Sequence, residues 1–260
     1  KVGESVEAIV DDVRMQTAKH HSATHLLHAA LREILGSHIA QAGSLVEENR
    51  LRFDFSHPQA LNNEELDMIE AWVNDKIDKS IPSKTNVMDI QSAKDKGAMA
   101  LFGEKYGDEV RVVEFSDSSI ELCGGIHVEN SSQIGQFIIL KESGVSAGVR
   151  RIEAICGKEA ISYSKNLRVQ IEEIKSELKN QDPINGISKL KEQIKSLKQE
   201  LENSLNSQKS ELDIQEINGV SIVIAEIDSG DIKTMIDDFK NRFDKALIML
   251  IQPKDDKVLI

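Results

Sequence analysis

The sequence has no long apolar run and is poor in cysteine and aromatic residues. No run approaches the roughly 18 apolar residues of a membrane span, and no apolar signal core follows Lys1, so we expect a cytoplasmic protein without a membrane partner. Its two cysteines, Cys123 and Cys156, are too few for a disulfide framework and suit a reducing compartment, in which a thiol binds metal or packs in a core. An aromatic content of 4% argues against a stacking platform for single-stranded bases.

Positive charge is also scarce. The 260 residues include 32 Lys and Arg against 44 Asp and Glu, a net charge of −12, which disfavours non-specific binding to nucleic acid. Residues 1–157 carry 16 basic and 25 acidic residues, a net charge of −9, and residues 158–260 carry 16 and 19, a net charge of −3. The N-terminal part is therefore the more acidic one.

Length and termini indicate several domains and a longer parent chain. A chain of 260 residues with 40% apolar residues has room for two or three domains. It starts at Lys1 instead of Met and ends on the apolar Val258-Leu259-Ile260, so we expect a piece of a longer polypeptide. Residues 1–13 are interpreted as the remnant strand of an upstream domain.

Residues 14–157 are predicted to form an α+β domain with a mixed or antiparallel sheet. Apolar residues and histidines recur at helical spacing from Thr17 until Gly36. A second helix is predicted from a cap at Asn62 or Asn63 through Ile77, ended by Pro82. Alternation or glycine punctuation predicts strands, completing one sheet, at residues 51–55, 110–115, 136–140 and 144–156.

Residues 158–213 carry a heptad pattern, which predicts two coiled-coil-like helices. Pro183 and Gly186 are expected to interrupt the pattern, so an antiparallel hairpin, an intermolecular coil that makes a homodimer, and two helices docked on a neighbour all stay open. The seam consists of Leu167, Ile171, Ile174, Leu178, Ile187, Leu190, Ile194, Leu197 and Leu201.

Residues 214–260 are predicted to be a partial C-terminal βαββ domain. The strand SIVIAEI is followed by a helix over residues 231–239 and by the strands ALIMLI and KVLI. We expect this unit to be incomplete.

Two pairs of residues have metal-ligand spacing. His21 and His25 lie four apart on one predicted helix face. Cys123 and His127 are also four apart, with two glycines between them that permit a tight turn. Cysteine with histidine suits zinc. The pairs are far apart in sequence, so spacing alone leaves open whether they meet. Taken alone, the His21 and His25 pair is a weak signal for a metal site.

Residue type argues against two other interpretations of these pairs. Structural zinc sites are usually richer in cysteine than one thiolate with three histidines. A zinc peptidase requires Glu directly after the first histidine of its helix, whereas this chain has Ser22. Peptide hydrolysis by that route is therefore not expected.

Several segments together resemble the editing domain of alanyl-tRNA synthetases, from about Arg14 to Gly157. In order they read HHSATHLLHAAL, GSHIAQAGSLV, LRFDFSH, AKDKGAMALFGEKYG, ELCGGIH and SGVSAGVRRIEA. The helical pair and the C-terminal unit resemble that family's coiled-coil connector and C-terminal domain. The resemblance implies a fragment of an alanine–tRNA ligase that hydrolyses mischarged Ser-tRNA(Ala) and Gly-tRNA(Ala), with ATP and Mg²⁺ used only by a domain outside this chain.

The resemblance also implies roles for particular residues. One zinc ion would be held by His21, His25, Cys123 and His127. Gln41 corresponds to a residue that affects discrimination of the aminoacyl group, or is a surface glutamine. Thr24 is expected either to contact a serine hydroxyl or to bond back to its own helix. The family commonly has Thr where this chain has Ile126, so a role of that hydroxyl would be lost.

Other residues offer weaker predictions. Arg150 and Arg151, after the glycine-rich GVSAG, are expected either to contact tRNA phosphates or to pair with an internal carboxylate such as Glu153. Gly97, Gly103 and Gly107 predict a structured loop beside the pocket and not a nucleotide site. Cys156 is expected to pack in a core. His20, His28, His38 and His57 are candidates by residue type only.

Two further hypotheses remain. One is a free-standing editing factor with the same chemistry, and the other is a zinc-stabilised dimerisation scaffold with an inert pocket. Since residues 1–157 are acidic, any of the tRNA-binding hypotheses predicts that this chain alone binds tRNA weakly and through few contacts.

Overall fold

The architecture was obtained from a computed structural model, which describes residues 10–11, 13–99, 107–210, 214–226, 232–254 and 257–259. The chain divides into two compact units, Lys1–Ile171 and Glu172–Ile260. The predicted remnant strand lies almost entirely outside the described residues, as does most of the GAMALFGEKYG segment. Among the described helices, none combines the length and apolar character needed to cross a membrane.

The N-terminal unit contains α-helices and two antiparallel sheets, so the α+β prediction is confirmed. One sheet has the strand order β1-β2-β7-β6 and the other has the order β3-β4-β5. In chain order the elements are α1 (Val13–Leu35), β1 (Gln41–Val46), β2 (Leu51–Ser56), α2 (Asn63–Asp78), β3 (Ser83–Asp89), α3 (Ile90–Asp95), β4 (Glu109–Phe115), β5 (Ser119–Leu122), a 3₁₀ turn (Ser131–Ile134), β6 (Phe137–Ser146), β7 (Val149–Cys156) and α4 (Lys158–Leu178).

The two predicted helices of this domain form close to the expected positions. α1 begins four residues before the predicted Thr17 and ends before Gly36, whose φ of 117° suits a glycine. α2 is capped by Asn62, whose side chain accepts from the Glu65 N–H while the Glu65 carboxylate accepts from the Asn62 N–H. α2 ends at Asp78, before Pro82. Capping chemistry and helical periodicity were thus sufficient to predict both helices.

The expectation of a single sheet was wrong. β2 pairs with β7, whereas β4 pairs with β3 and β5. β4 has two buried faces: Val113 and Phe115 join the main core, and Val110 and Val112 join a smaller core under α3. An apolar strand with both faces covered gives no sequence indication of which sheet it belongs to.

The main core lies between the larger sheet and the helices α1 and α2. In β2 the alternation is complete, since Leu51, Phe53 and Phe55 are buried and the residues between them are half-buried. α1 is buried along most of its length because it contacts α2, the larger sheet and β5. Rigid helix and sheet packing therefore fixes the face of α1 that carries the histidines.

The second unit begins within α4 and contains α5 (Pro183–Ser210), β8 (Ile214–Ile217), β9 (Val220–Glu226), α6 (Ile232–Arg242), β10 (Ala246–Lys254) and β11 (Lys257–Leu259). The predicted break at Asp182-Pro183 is confirmed: the Asp182 carboxylate accepts from the N–H groups of Ile184 and Asn185 at the start of α5. Gly186 was expected to interrupt the helix but lies inside α5, close to Leu178. The seam residues Leu190, Ile194, Leu197 and Leu201 are exposed, and coiled-coil pairing stays a prediction.

The C-terminal strands and helix follow the predicted order, with one strand more. β8 precedes the predicted elements, and the sheet order is β11-β10-β9-β8, with β9 and β10 parallel. Val223, Phe239 and Leu250 form its small core.

Candidate metal centre

The helix α1 presents His21 and His25 on one face, one turn apart. His25 is 4% exposed and His21 is half-buried, because the neighbouring Leu26 and Leu27 anchor this part of the helix in the main core. The imidazole ring centroids are 5.1 Å apart. Helical spacing thus places two nitrogen ligands side by side at the edge of the core.

The segment Cys123–His127 follows β5 as a loop, and Arg111 of β4 holds this loop. One terminal nitrogen of Arg111, Nη1, donates to the Cys123 carbonyl at 2.7 Å and to the Gly125 carbonyl at 2.8 Å. Gly125 lies directly against the ring of His21, and a Cβ atom added there would be 2.2 Å from His21 Cε1. Only glycine permits this approach of the loop to α1.

The loop brings both predicted pairs together. The ligand atoms of His21, His25, Cys123 and His127 all lie within 4.8 Å of one another. Cys123 Sγ is 3.5 Å from His21 Nε2 and 3.3 Å from His127 Nε2. Bond lengths of about 2.3 Å for zinc–sulfur and about 2.0–2.1 Å for zinc–nitrogen place tetrahedral ligands at comparable separations. The four side chains therefore have the composition and spacing of a site for one metal ion.

The second ring nitrogens of His21 and His127 have protein partners. His21 Nδ1 is 3.2 Å from the Ile126 carbonyl oxygen, and His127 Nδ1 is 3.0 Å from Ser22 Oγ. Ser22 Oγ also accepts from the Val128 N–H at 3.1 Å. Such contacts fix ring orientation in metal sites and leave each Nε2 atom directed at Cys123 Sγ.

His25 differs from the other two histidines. Its Nε2 is 3.5 Å from a carboxylate oxygen of Glu121, and its buried Nδ1 has no hydrogen-bond partner among the described residues. The Glu121 carboxylate, which is buried, also lies 3.2 Å from His28 Nδ1. A buried ring nitrogen without a partner fits a metal ligand, because an unsatisfied buried polar atom otherwise costs free energy.

All three imidazoles are biased toward the neutral form that binds metal. Burial lowers the pKa of His127 to about 3, with additional effects of His21 and Arg111. Burial is also the main reason that the pKa of His21 is lowered and that the pKa of His25 lies well below its usual range. Since a metal ligand must carry a free lone pair, the site does not need to lose protons from its histidines near neutral pH.

His20 and Cys156 lie in the core, whereas His38 and His57 lie at or near the surface. His20 Nε2 accepts from the Cys156 N–H at 3.2 Å, so the other ring nitrogen carries the proton and donates to the Gln16 carbonyl. Cys156 is fully buried, as predicted, and burial raises the pKa of its thiol to about 12. His38 and His57 form an exposed pair with 3.1 Å between Nε2 and Nδ1.

The remaining predicted site residues lie outside the cluster. The Thr24 hydroxyl donates to the His20 carbonyl at 2.8 Å, which is the helix-bonding alternative. Gln41 is half-buried at the start of β1, and no hydrogen bond joins it to the cluster among the described residues. Arg150 pairs with Glu142 and Arg151 pairs with Asp54, so both guanidinium groups adopt the internal pairing that the sequence left open.

Three residues of the site were missed by the sequence analysis. In the sequence, Ser22 is notable only as a departure from the peptidase pattern, and no ligand spacing marks Arg111 or Glu121. Ser22 directly follows a candidate ligand, and Glu121 lies two residues before another, so proximity in sequence was the available signal. Their burial and partners depend on tertiary packing.

One family of known protein domains matches part of this chain. A family model described as "Threonyl and Alanyl tRNA synthetase second additional domain" matches residues 110–153, which include Cys123 and His127. Residues 110–153 are thus similar to part of a domain that the family description assigns to threonyl- and alanyl-tRNA synthetases.

Alanine–tRNA ligases match this chain over its whole length. The chain is 60% identical over 259 residues to the alanine–tRNA ligase of Sulfurovum sp. (strain NBC37-1), covering 100% of this chain and 30% of that protein. Identity to the enzyme of Sulfurimonas denitrificans is 57% over 260 residues, 100% of this chain and 31% of that protein. Over its whole length the chain is therefore a homologue of one segment of alanine–tRNA ligases, and it spans about 30% of the length of these relatives.

Proposed function

We propose that this chain is part of an alanyl-tRNA synthetase and that residues 14–157 hydrolyse the ester of serine or glycine mischarged on tRNA(Ala). The convergence of His21, His25, Cys123 and His127, in a chain whose full-length relatives are alanine–tRNA ligases, carries the proposal. The parent enzyme would use ATP and Mg²⁺ in a domain outside this chain, in the cytoplasm.

The chemical need for such a site is a limit of selective binding. A pocket shaped for alanine does not exclude the smaller glycine, and it discriminates only weakly against the added hydroxyl of serine. Hydrolysis of the wrong ester at a second site restores accuracy. The N-terminal unit would supply that second site.

Zinc is the proposed metal because one thiolate and three imidazoles suit it. When bound, zinc would either activate a water molecule or hold the site in the shape that positions the terminal adenosine. Four protein ligands leave no open position for a water molecule, which favours the positioning role. Around the ion, Arg111 holds the ligand loop, and Ser22 and the Ile126 carbonyl orient two imidazoles.

Substrate recognition is proposed to involve Thr24 and Gln41. Because the Thr24 hydroxyl already donates its proton to the His20 carbonyl, its oxygen is left as an acceptor, which suits the hydroxyl of a seryl group. Ile126, in place of the family's usual threonine, supplies no such group. Arg150 and Arg151 are not needed in this account, because carboxylates already neutralise them.

The test is Cys123→Ala, with zinc content and deacylation of Ser-tRNA(Ala) measured on the same preparations. The proposal expects loss of zinc and at least a hundredfold slower deacylation. Cys156→Ala is the matched control, because it removes the other cysteine from the core and is expected to lower stability while retaining zinc. Unchanged zinc content together with unchanged deacylation in Cys123→Ala would refute the proposal.

The exposed seam of α5 supports a second candidate, a zinc-stabilised scaffold that forms homodimers through its C-terminal region. Sedimentation of the chain with and without residues 158–213 tests dimerisation. Deacylation by the intact chain excludes the inert scaffold, and an upstream ATP-binding domain in the gene excludes a free-standing factor.

A further inference from the structure

A cavity of about 450 Å³ lies against the candidate metal centre on the side of His127. Its size is in the range of pockets that hold small ligands. Its lining is part polar and part apolar, and consists of Val10, Asp11, Arg14, Met15, Ala18, Arg111, Ile126 and His127. A ligand in this cavity would touch a candidate metal ligand.

The cavity brings together two arginines that have no carboxylate partner among the described residues. In the same acidic unit, carboxylates neutralise Arg50, Arg150 and Arg151. Arg14 is exposed on the first turn of α1, and Arg111 is half-buried. The described ion pairs include neither of them, so the cavity carries positive charge in a domain whose net charge is negative.

Arg111 has donors left over after it has fixed the ligand loop. Among the described residues, Nη1 donates to the Cys123 and Gly125 carbonyls, and the one contact of Nη2 is with Thr85 Oγ1 at 3.5 Å. Since a guanidinium group has five N–H donors, the remaining ones are available to an anion. Among the described residues that line the cavity, Asp11 is the one acidic residue, and its carboxylate accepts from the Val13 N–H at 3.1 Å.

We propose that this cavity binds the phosphate-linked 3′-terminal nucleotide of the RNA, with Arg14 and Arg111 on its phosphate group. The inference rests on the proposed editing function. Phosphate contacts position a nucleic acid without reading its sequence, and the apolar residues Met15 and Ile126 give the base or ribose a wall. The phosphate then lies on the arginine side and the terminal ribose with its ester lies at the metal centre.

The position of the cavity also explains how a domain with a negative net charge binds RNA. One local pair of arginines is sufficient for binding if the domain contacts only the 3′ end of the RNA. Such binding is weak and sensitive to salt. Arg14 is the better residue to test, because no described side-chain interaction gives it a role in folding. Arg111 holds the metal loop, so its substitution would disturb both functions.

The test compares the 3′-seryl esters of adenosine, which has no phosphate, and of the trinucleotide CCA. Arg14→Gln should lower kcat/KM for the trinucleotide roughly tenfold through KM, with a loss at least fivefold smaller for seryl-adenosine. Arg14→Lys should recover most of the activity. Arg168→Gln, at an exposed arginine of α4 outside the cavity, should change neither substrate. Equal losses of Arg14→Gln on both substrates, or no loss on either, would overturn the proposal.

Binding of labelled, unacylated CCA tests the site separately from hydrolysis. Arg14→Gln should weaken binding and reduce the slope of log affinity against log salt by about 0.7. Equal affinity of wild type and Arg14→Gln overturns the nucleotide site, whereas failure of the wild type to hydrolyse either ester overturns the editing function. Displacement of CCA by inorganic phosphate as effectively as by adenosine 5′-monophosphate would show a general anion site and would also overturn the proposal.

Discussion

The hydroxyl oxygen of Ser22 lies 3.0 Å from His127 Nδ1, across 105 residues of sequence. The same oxygen accepts from the Val128 N–H, so one side chain of α1 holds the end of the ligand loop at two points. Because Ser22 sits next to His21, the two candidate ligand pairs are joined by direct contacts within the protein itself.

Ser22→Ala should therefore weaken metal binding without removing a ligand. We expect zinc affinity to fall by about 10–100-fold, as for other contacts that orient ligands, and stability to fall by about 1–3 kcal/mol because the buried Val128 N–H loses its acceptor. Chelator competition and thermal unfolding measure these effects. Ser188→Ala, on exposed α5, removes a hydroxyl that donates to the Ile184 carbonyl and should leave zinc affinity unchanged. Equal zinc affinity of Ser22→Ala and wild type would contradict the orienting role.

Gly125→Ala and Gly124→Ala form a matched pair in the ligand loop. A Cβ at Gly125 would meet the His21 ring at 2.2 Å, whereas a Cβ at Gly124 would have no atom within 4 Å. Gly125→Ala should displace the loop and lower zinc affinity more than tenfold, and Gly124→Ala should be near neutral. Similar zinc affinities of the two variants would show that the approach of the loop to α1 is not required.

Thiol titration distinguishes the two cysteines. With burial raising the pKa of Cys156 to about 12, its thiol should be unreactive at pH 8 until the chain unfolds. Ellman's reagent should modify no thiol in the zinc-loaded chain, one in the metal-free chain and two in denaturant. Modification of Cys156 in the native chain, detected by peptide mass, would contradict the packing described.

Stability of the metal-free chain should depend on pH through the lowered histidine pKa values. The unfolded chain takes up protons near the ordinary histidine pKa of about 6.5, while folded His127 does so only near pH 3, so the folded state binds fewer protons between these values. The free energy of unfolding should thus be fully present above about pH 6.5 and fall as pH decreases toward 3. Urea unfolding at several pH values measures this slope. In His127→Asn the slope should be smaller, and an unchanged slope would contradict the assignment.

Local features of the sequence predicted local structure well. The Asn62 cap, the alternation at residues 51–55 and the helical spacing of His21 and His25 each depend on neighbours within a few residues. The strands β1, β3 and β5 were missed, because β1 contains Gly43, β3 is polar and largely exposed, and β5 has only four residues.

Non-local relationships could not be predicted in the same way. The two ligand pairs meet only because β4, β5 and α1 pack together, and nothing in the spacing of His25 and Cys123 encodes that contact. The ion pairs of Arg150 and Arg151 depend on β6 and β2 lying on either side of β7, so the sequence left two alternatives open. Glu121 is distinctive only through its burial between two histidines.

The most direct measurement is the zinc-edge X-ray absorption spectrum of the chain loaded with one equivalent of zinc. The proposed centre predicts one sulfur at about 2.3 Å and three nitrogens at about 2.0–2.1 Å, with the sulfur lost in Cys123→Ala. A spectrum without sulfur, or the same spectrum in wild type and Cys123→Ala, would contradict a centre built from His21, His25, Cys123 and His127.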